Sequence, residues 1–216
     1  SDEAGIGLFG REQPFVMLPN GIDLDRYRNV PVTKAEMHAQ LGIPEDAFVI
    51  GHIGRFEEQK NHRLLLKIVQ HILKKHPNTY LLSVGAGSLE AEIHGLANDL
   101  GISDHVLFLG EREDIAELLK AMDVFLLPSL YEGLPIVAVE AQAANVKLVL
   151  STEVSKDTVL SENVRFVPLD AELDCWEAEI MGDPQGNRPK PEMEAFDMLK
   201  TAKALEKIYD AKEVTA

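Results

Sequence analysis

The chain has 216 residues, 45% hydrophobic and 26% charged, and its 21 Lys and Arg against 36 Asp and Glu leave a net charge of −15. This is globular composition, with apolar residues enough for a sizeable core, and the acidity excludes a protein that coats nucleic acid or spreads on anionic lipid. The single cysteine, Cys175, excludes a disulfide framework and points to a reducing, cytoplasmic setting, and no run approaches the roughly 18 apolar residues of a membrane span.

In chain order, Ser1 stands where a start Met would, so the sequence reads as a piece of a longer protein. Residues 1–14 carry Gly5, Gly7, Gly10 and Pro14 and read as a linker or the remnant of a preceding domain, followed by a short strand candidate over residues 15–18. Residues 48–54 predict a buried strand ending in glycine, and residues 62–76 a helix with Leu65, Ile68, Val69, Ile72 and Leu73 on one stripe. A strand over 80–84 leads through Gly85-Ala86-Gly87 to a helix over 89–100, with Ser88 as its cap and Gly101 as its stop.

The alternation continues. Residues 106–109 predict a strand, 114–122 a helix, 124–127 a strand, 135–144 a helix with Pro135 in its first turn, 147–150 a strand and 164–167 the last strand. Strands separated by helices of this length require crossovers and a parallel sheet. The fold class is therefore α/β: a doubly wound, Rossmann-like parallel sheet of about six strands with helices on both faces, spanning residues 15–192. Residues 181–192, rich in Gly and Pro, form a loop, and 195–211 predict an amphipathic helix with Phe196, Leu199, Ala202, Leu205, Ile208 and Tyr209 on its stripe, within a C-terminal segment 193–216.

In such a sheet, ligands bind beyond the carboxyl ends of the strands, where the strand order reverses. The exit at Gly54 carries Arg55 and Lys60 inside the one basic island of the acidic chain, six basic residues to two acidic over residues 55–75. A short loop leaving a buried strand presents such cations to a phosphate. The exit at residues 129–135 carries Glu132 and Gly133 ahead of a helix N-terminus, whose free N–H groups and dipole favour an anion. Glu140 lies inside that helix among Ala138, Val139, Ala141 and Ala143. An acid so placed needs hydrogen-bonding partners, and the hydroxyl groups of a ligand are the expected ones. Other signals are weaker. Gly85-Ala86-Gly87 lacks the third glycine of a dinucleotide fingerprint. His52, His62, His71 and His76 have no zinc-motif spacing and read as packing or solvent residues. Cys175, Trp176 and Phe196 read as packing residues.

Glu132 and Glu140, separated by seven residues, stand inside Ser129-x-x-Glu132-Gly133-Leu134-Pro135 and Glu140-Ala141. With Gly54-Arg55-x4-Lys60-Asn61, Val84-Gly85-x-Gly87 and Phe108-Leu109-Gly110-x-Arg112-x-Asp114, this pattern resembles retaining GT-B glycosyltransferases, more narrowly the "group 1", family 4 transferases. Pro19-Asn20-Gly21-Ile22-Asp23 is similar to the segment that enters their C-terminal domain, and the closer likeness is to bacterial exopolysaccharide and capsule enzymes. Two departures stand out: Asn145-Val146-Lys147 replaces Gly-x-Pro, and Thr152 to Asp157 replaces a Gly-Gly pair, so no role carries over to that loop.

The resemblance implies the donor-binding half of an enzyme that uses a nucleotide-diphosphate sugar, most simply a UDP-sugar, in polysaccharide synthesis. Arg55 and Lys60 would hold the diphosphate, Glu132 would contact the donor sugar and Glu140 the ribose. Gly133 and Leu134 would offer backbone N–H groups near the phosphates, Gly54, Gly85, Gly87 and Pro135 would also belong to the substrate-binding site, and Glu111 and Arg112 would border the base. No metal or other cofactor is expected, and no nucleic-acid partner. The expected partner is an N-terminal acceptor-binding domain of the same enzyme, through which alone any membrane association would come, and without which the chain would be weakly active or inactive. A nucleotide-sugar 2-epimerase of the same fold and a non-catalytic binding module are the competing readings.

Overall fold

In a computed structural model, the structure describes residues 10, 18, 20–183 and 189–213, with side chains to residue 210 in the last helix. The strand candidate over 15–18 falls outside these residues except for Leu18, as do residues 1–9 and 184–188 of the expected loops.

Six strands, β1 (Phe48–Ile53), β2 (Thr79–Val84), β3 (Val106–Phe108), β4 (Val124–Leu127), β5 (Lys147–Ser151) and β6 (Val164–Val167), form one parallel sheet in the order β3-β2-β1-β4-β5-β6. Both faces are buried, which is why β4 and the Leu148-Val149-Leu150 centre of β5 read as apolar runs: Val124 and Leu126 join one apolar cluster, Phe125 and Leu127 the other. The helices divide accordingly. On one face lie α1 (Leu24–Arg28), α2 (Lys34–Leu41), α5 (Ile115–Lys120) and α6 (Ile136–Ala143); on the other lie α3 (His62–Leu73), α4 (Glu90–Asp99) and α7 (Leu173–Met181).

Two helices precede the sheet that the apolar pattern does not announce. Asp23 caps α1 by accepting from Arg26 N, and Thr33 with Glu36 forms a reciprocal capping box on α2, whose other end stops at left-handed Gly42. Elsewhere the helix ends correct the expectation. The helix expected from 89 begins at Glu90 without a side-chain cap, because Ser88 Oγ donates to Glu57 instead. Pro135 stands just before α6 rather than in its first turn. Asn145 takes φ +67° after α6, the left-handed stop that glycine would otherwise supply.

The last helix, α8 (Met198–Glu213), starts three residues later than expected. Residues Pro191–Phe196 instead form a 3-10 turn that buries Met193 and Phe196 in the main core. Ile22 N donates to Phe196 O and Met198 N to Ile22 O, which stitches the entering and leaving segments together. Beyond this turn Met198, Leu199, Leu205 and Tyr209 of α8 are exposed.

Candidate functional site

Strand order reverses between β1 and β4, and their exits are tied together. After β1, a 3-10 turn over Glu58–Lys60 leads to Asn61, which at φ +54° swings the chain into α3. Gln59 O accepts from Leu130 N at 2.8 Å, Gln59 Nε2 donates to Tyr131 O at 2.9 Å and Asn61 Nδ2 donates to Pro128 O at 3.1 Å. The β5 exit grips the same loop. Ser151 Oγ donates to Ser129 O, Glu132 N donates to Glu153 O and Ser155 N donates to Glu132 O. The loop that departs from the family pattern thus fixes the backbone of Glu132 on both sides.

Lys60 and Glu132 form an ion pair, Nζ to Oε1 at 2.5 Å, with side chains only 15% and 9% exposed. Ser129 Oγ donates to the same oxygen at 3.2 Å. Arg55, which the sequence places beside Lys60 as a second cation, is exposed and has no ion-pair partner among the described residues. The two cations therefore differ: Lys60 is already compensated, and Arg55 is not. Gly133 follows, and a Cβ there would meet nothing within 4 Å, so the loop presents open backbone ahead of α6. Leu134 turns back against the apolar core. The first-turn N–H groups of α6, which a helix leaves without intrahelical acceptors, begin at Ile136.

Glu140 lies one turn deeper. Its Oε1 accepts from Tyr27 Oη at 2.6 Å, and Tyr27 is 7% exposed on α1. Burial pushes the Glu140 carboxyl above its ordinary pKa, against the lowering effects of the Tyr27 hydrogen bond and the Arg26 charge. Burial and then Glu140 itself hold the Tyr27 phenol well above its ordinary value, so it stays a donor. The partners expected for Glu140 were ligand hydroxyls; the protein supplies one of its own. Tyr27 is a residue that sequence reasoning missed, since the two side chains are 113 positions apart.

The glycine loop after β2 serves the β1 exit. Gly85 takes φ +133° and a Cβ would stand 2.2 Å from Gly54 O; at Gly87 it would stand 2.6 Å from Phe56 O. Glu57 accepts from both Ser88 N and Ser88 Oγ, filling the anion position at this turn with a carboxylate of the chain. Close backbone packing thus accounts for Gly85 and Gly87. A Cβ on Gly54 would crowd Lys60 Cδ and His52 Nε2, both at 3.1 Å. One strand further out, Glu111 and Arg112 follow left-handed Gly110, and Arg112 is held bidentately by Asp114 at 2.7 and 2.5 Å. Residues 54–60 and 129–140 therefore meet at the switch point, and the loop that carries Glu111 and Arg112 is joined to its surroundings through Gly85 N, which donates to Gly110 O at 2.8 Å, and Arg26, which donates to Glu113 O.

The remaining candidates serve the fold. His52 and His62 are buried beneath the Lys60 loop; His62 stacks on Phe56 at 4.3 Å and meets His52 edge-on at 4.7 Å. Burial and the Lys60 charge lower the His62 pKa to about 4. His71 Nε2 lies 3.0 Å from both Asp174 and Glu177, three side chains with metal-ligand chemistry, but Lys75 Nζ stands 3.1 and 2.8 Å from the same carboxylates. An ammonium already supplies the central charge, and the group acts as a latch between α3 and α7. Cys175 is exposed rather than packed, whereas its neighbour Trp176 is fully buried. A cavity of 320 Å³ among Gln70, Leu73, Leu100, Ile102 and His105 opens at the opposite edge of the sheet from these loops, where His105 bonds the first residue of β2.

The family described as "Glycosyl transferases group 1" matches residues 33–166. The chain belongs to the group 1 glycosyltransferases. That match spans Arg55, Lys60, Glu132 and Glu140 but not Tyr27. Over 197 residues the chain is 38% identical to the putative glycosyltransferase EpsF of Bacillus subtilis, covering 88% of this chain and 51% of that protein. It is 32% identical over 139 residues to the UDP-Gal:alpha-D-GlcNAc-diphosphoundecaprenol alpha-1,3-galactosyltransferase of Escherichia coli, covering 62% of this chain and 36% of that protein. The chain thus spans about half the length, or less, of these relatives.

Among solved structures, Anabaena Alr3699/HepE in complex with UDP and glucose superposes with a TM-score of 0.80 at 23% identity, over 97% of this chain and 60% of that one. Sucrose-phosphate synthase from Thermosynechococcus elongatus gives 0.80 at 24%, over 100% and 57%. At these identities the likeness establishes the fold, one half of a GT-B architecture. Among the described residues, no helix of this group 1 glycosyltransferase is long and apolar enough to cross a membrane.

Proposed function

We propose that the chain is the donor-binding domain of a retaining glycosyltransferase that moves a sugar from a nucleotide-diphosphate sugar, a UDP-sugar, to an acceptor in polysaccharide biosynthesis. The observation that carries the reading is the Lys60–Glu132 ion pair at the strand-order switch, with Arg55 exposed in the same β1 exit and the α6 N-terminus close behind Glu132. The activities by which the relatives are named, glycosyl and galactosyl transfer, favour the same chemistry.

In this reading the diphosphate lies across Arg55 and the open backbone at Gly133, and it draws the Lys60 ammonium away from Glu132. The freed Glu132 carboxylate then accepts hydroxyls of the donor sugar, and Glu140 those of the ribose. The bond between the anomeric carbon and the β-phosphate oxygen breaks, and the nucleotide diphosphate departs with the bonding electrons. The acceptor oxygen forms the new bond to that carbon on the same face, and its proton passes to the departing phosphate. Negative charge grows on the leaving group, where Arg55, the Lys60 ammonium released from Glu132 and the first N–H groups of α6 stabilise it. Neither glutamate acts as a nucleophile, since Glu132 is occupied by a cation or a sugar and Glu140 by Tyr27 and the ribose. No metal ion is required to hold the diphosphate.

The exposed stripe of α8 and the exposed Leu130 and Tyr131 at the rim of the site are the surfaces we assign to an N-terminal acceptor-binding domain. A cytoplasmic location, any membrane association through that domain and weak activity of this chain alone belong to the same proposal. Calorimetric titration of the chain with UDP and GDP tests it: weak, saturable heat with UDP is expected. No heat with either nucleotide, from folded protein, defeats the donor-site reading.

A further inference from the structure

We infer that Tyr27 is a positioning residue for Glu140: its hydroxyl holds one carboxylate oxygen so that the other is aimed at the ribose hydroxyls of the donor nucleotide. The inference rests on the donor-site reading above. Its starting point is geometric. Tyr27 Oη donates to Glu140 Oε1 at 2.6 Å across the α1–α6 contact, and no other hydrogen bond reaches the Glu140 side chain among the described residues. A phenol has one proton to give, whereas a carboxylate offers about four lone-pair sites, so Oε2 keeps unused accepting capacity.

Packing alone does not explain the pair. Tyr27 shares an apolar cluster with Val139 and Ala143, and a phenylalanine facing an apolar residue would fill that space without burying a carboxylate. An acid kept in such a place, with one oxygen tied and one unfilled, is arranged for a ligand that brings its own donors. The tie also has a directional use, because Glu140 sits on a helix and its carboxylate would otherwise rotate about its side-chain torsions. Arg26 is engaged elsewhere: it donates to Glu113 O at 2.7 Å, which pins α1 to the loop beyond β3 and leaves the phenol as the group that touches Glu140. Tyr27 itself is placed by the Asp23 cap and by burial of Leu24 on the same short helix. A segment that precedes the first strand thus orients an acid on the sixth helix.

The test is calorimetric binding of UDP, 2′-deoxy-UDP and 3′-deoxy-UDP to the chain and to Tyr27→Phe, Glu140→Gln and the double variant, with circular dichroism and thermal melts as the folding check. The unaltered chain should prefer UDP over at least one deoxy analogue. Tyr27→Phe should reduce that preference about tenfold, and in the Glu140→Gln background the same change should have no further effect on it. A uniform weakening of all three nucleotides, or an unchanged preference, overturns the inference and assigns Tyr27 to packing. Should Tyr27→Phe alone not fold, the Glu140→Gln variant and the double variant still decide: a change in preference between them means that Tyr27 does not act through Glu140. Failure of the unaltered chain to bind UDP or GDP overturns the donor-site reading instead, a separate result.

Discussion

Lys60 and Glu132, 72 positions apart, close an ion pair across the point where the sheet reverses its strand order. The pair is mostly withdrawn from water, so removing one partner strands the other's charge. Lys60→Ala should therefore destabilise the chain by about 2 to 3 kcal/mol, while Lys60→Ala combined with Glu132→Ala should recover much of that loss. Urea unfolding of the two single variants and the double closes the cycle. A Lys60→Ala change within about 0.5 kcal/mol of the unaltered chain would show that the pair is no more than a surface contact.

Two glycines of the expected site should part company. At Gly85 a methyl would collide with Gly54 O, and φ +133° is hostile to any side chain, so Gly85→Ala should cost about 3 kcal/mol or more. At Gly133 there is open space and no positive φ, so Gly133→Ala should leave stability within about 0.5 kcal/mol while obstructing the approach of a nucleotide. Melting curves of both, paired with UDP titration of the second, separate a packing glycine from a ligand-facing one. Equal loss of stability in the two would contradict the assignment.

What the sequence made legible follows from range. Strand β4 and the centre of β5 are local statements, apolar runs buried on both faces, and residues alone announce them. The left-handed stop at Asn145 is equally local. Ends of elements depend on competition. Ser88 looks like a cap, yet Glu57 from another loop claims its hydroxyl. The apolar stripe of the last helix extends back through Phe196, yet Asp197 accepts from Leu199 N and Lys200 N and starts the helix after itself, releasing Phe196 into the core. The motif residues were each readable by type, but their partners were not. That Lys60 would face Glu132, that Tyr27 would face Glu140 and that the loop at Glu153 and Ser155 would hold Glu132 are tertiary facts that no local pattern encodes. Cys175 shows the same limit, since one helical step decides between the buried place of Trp176 and solvent.

The buried His62 sets a pH dependence of stability. Its folded pKa of about 4 lies below the ordinary 6.5, so the unfolded chain binds the proton more readily between those values and stability rises with pH across that window. Acidifying from pH 7 to pH 5 should remove about 2 kcal/mol through this residue. His52, whose pKa burial also depresses, adds to the slope with the same sign, and Glu140, whose pKa is raised, works against it. His62→Phe keeps the stack on Phe56 and should flatten the difference between urea midpoints at the two pH values by about that amount. An unaltered slope would mean that His62 titrates freely.

Arg55 supplies the sharpest separation of binding from folding. It is exposed, has no ion-pair partner among the described residues and lies in the β1 exit, which is tied to the loop that leads to Gly133. Arg55→Ala should therefore leave the melting temperature unchanged. In the donor-site reading it contributes a charge-assisted contact to the diphosphate, and its loss should weaken UDP binding about tenfold. The weakening should shrink as salt rises, because screening already taxes an exposed cation in the unaltered chain. Lys60→Ala lowers both stability and affinity, so it cannot distinguish the two roles; Arg55→Ala can. Full UDP affinity in Arg55→Ala, measured by calorimetry at low and high salt, would remove Arg55 from the site and move the diphosphate onto Lys60 and the α6 N-terminus alone.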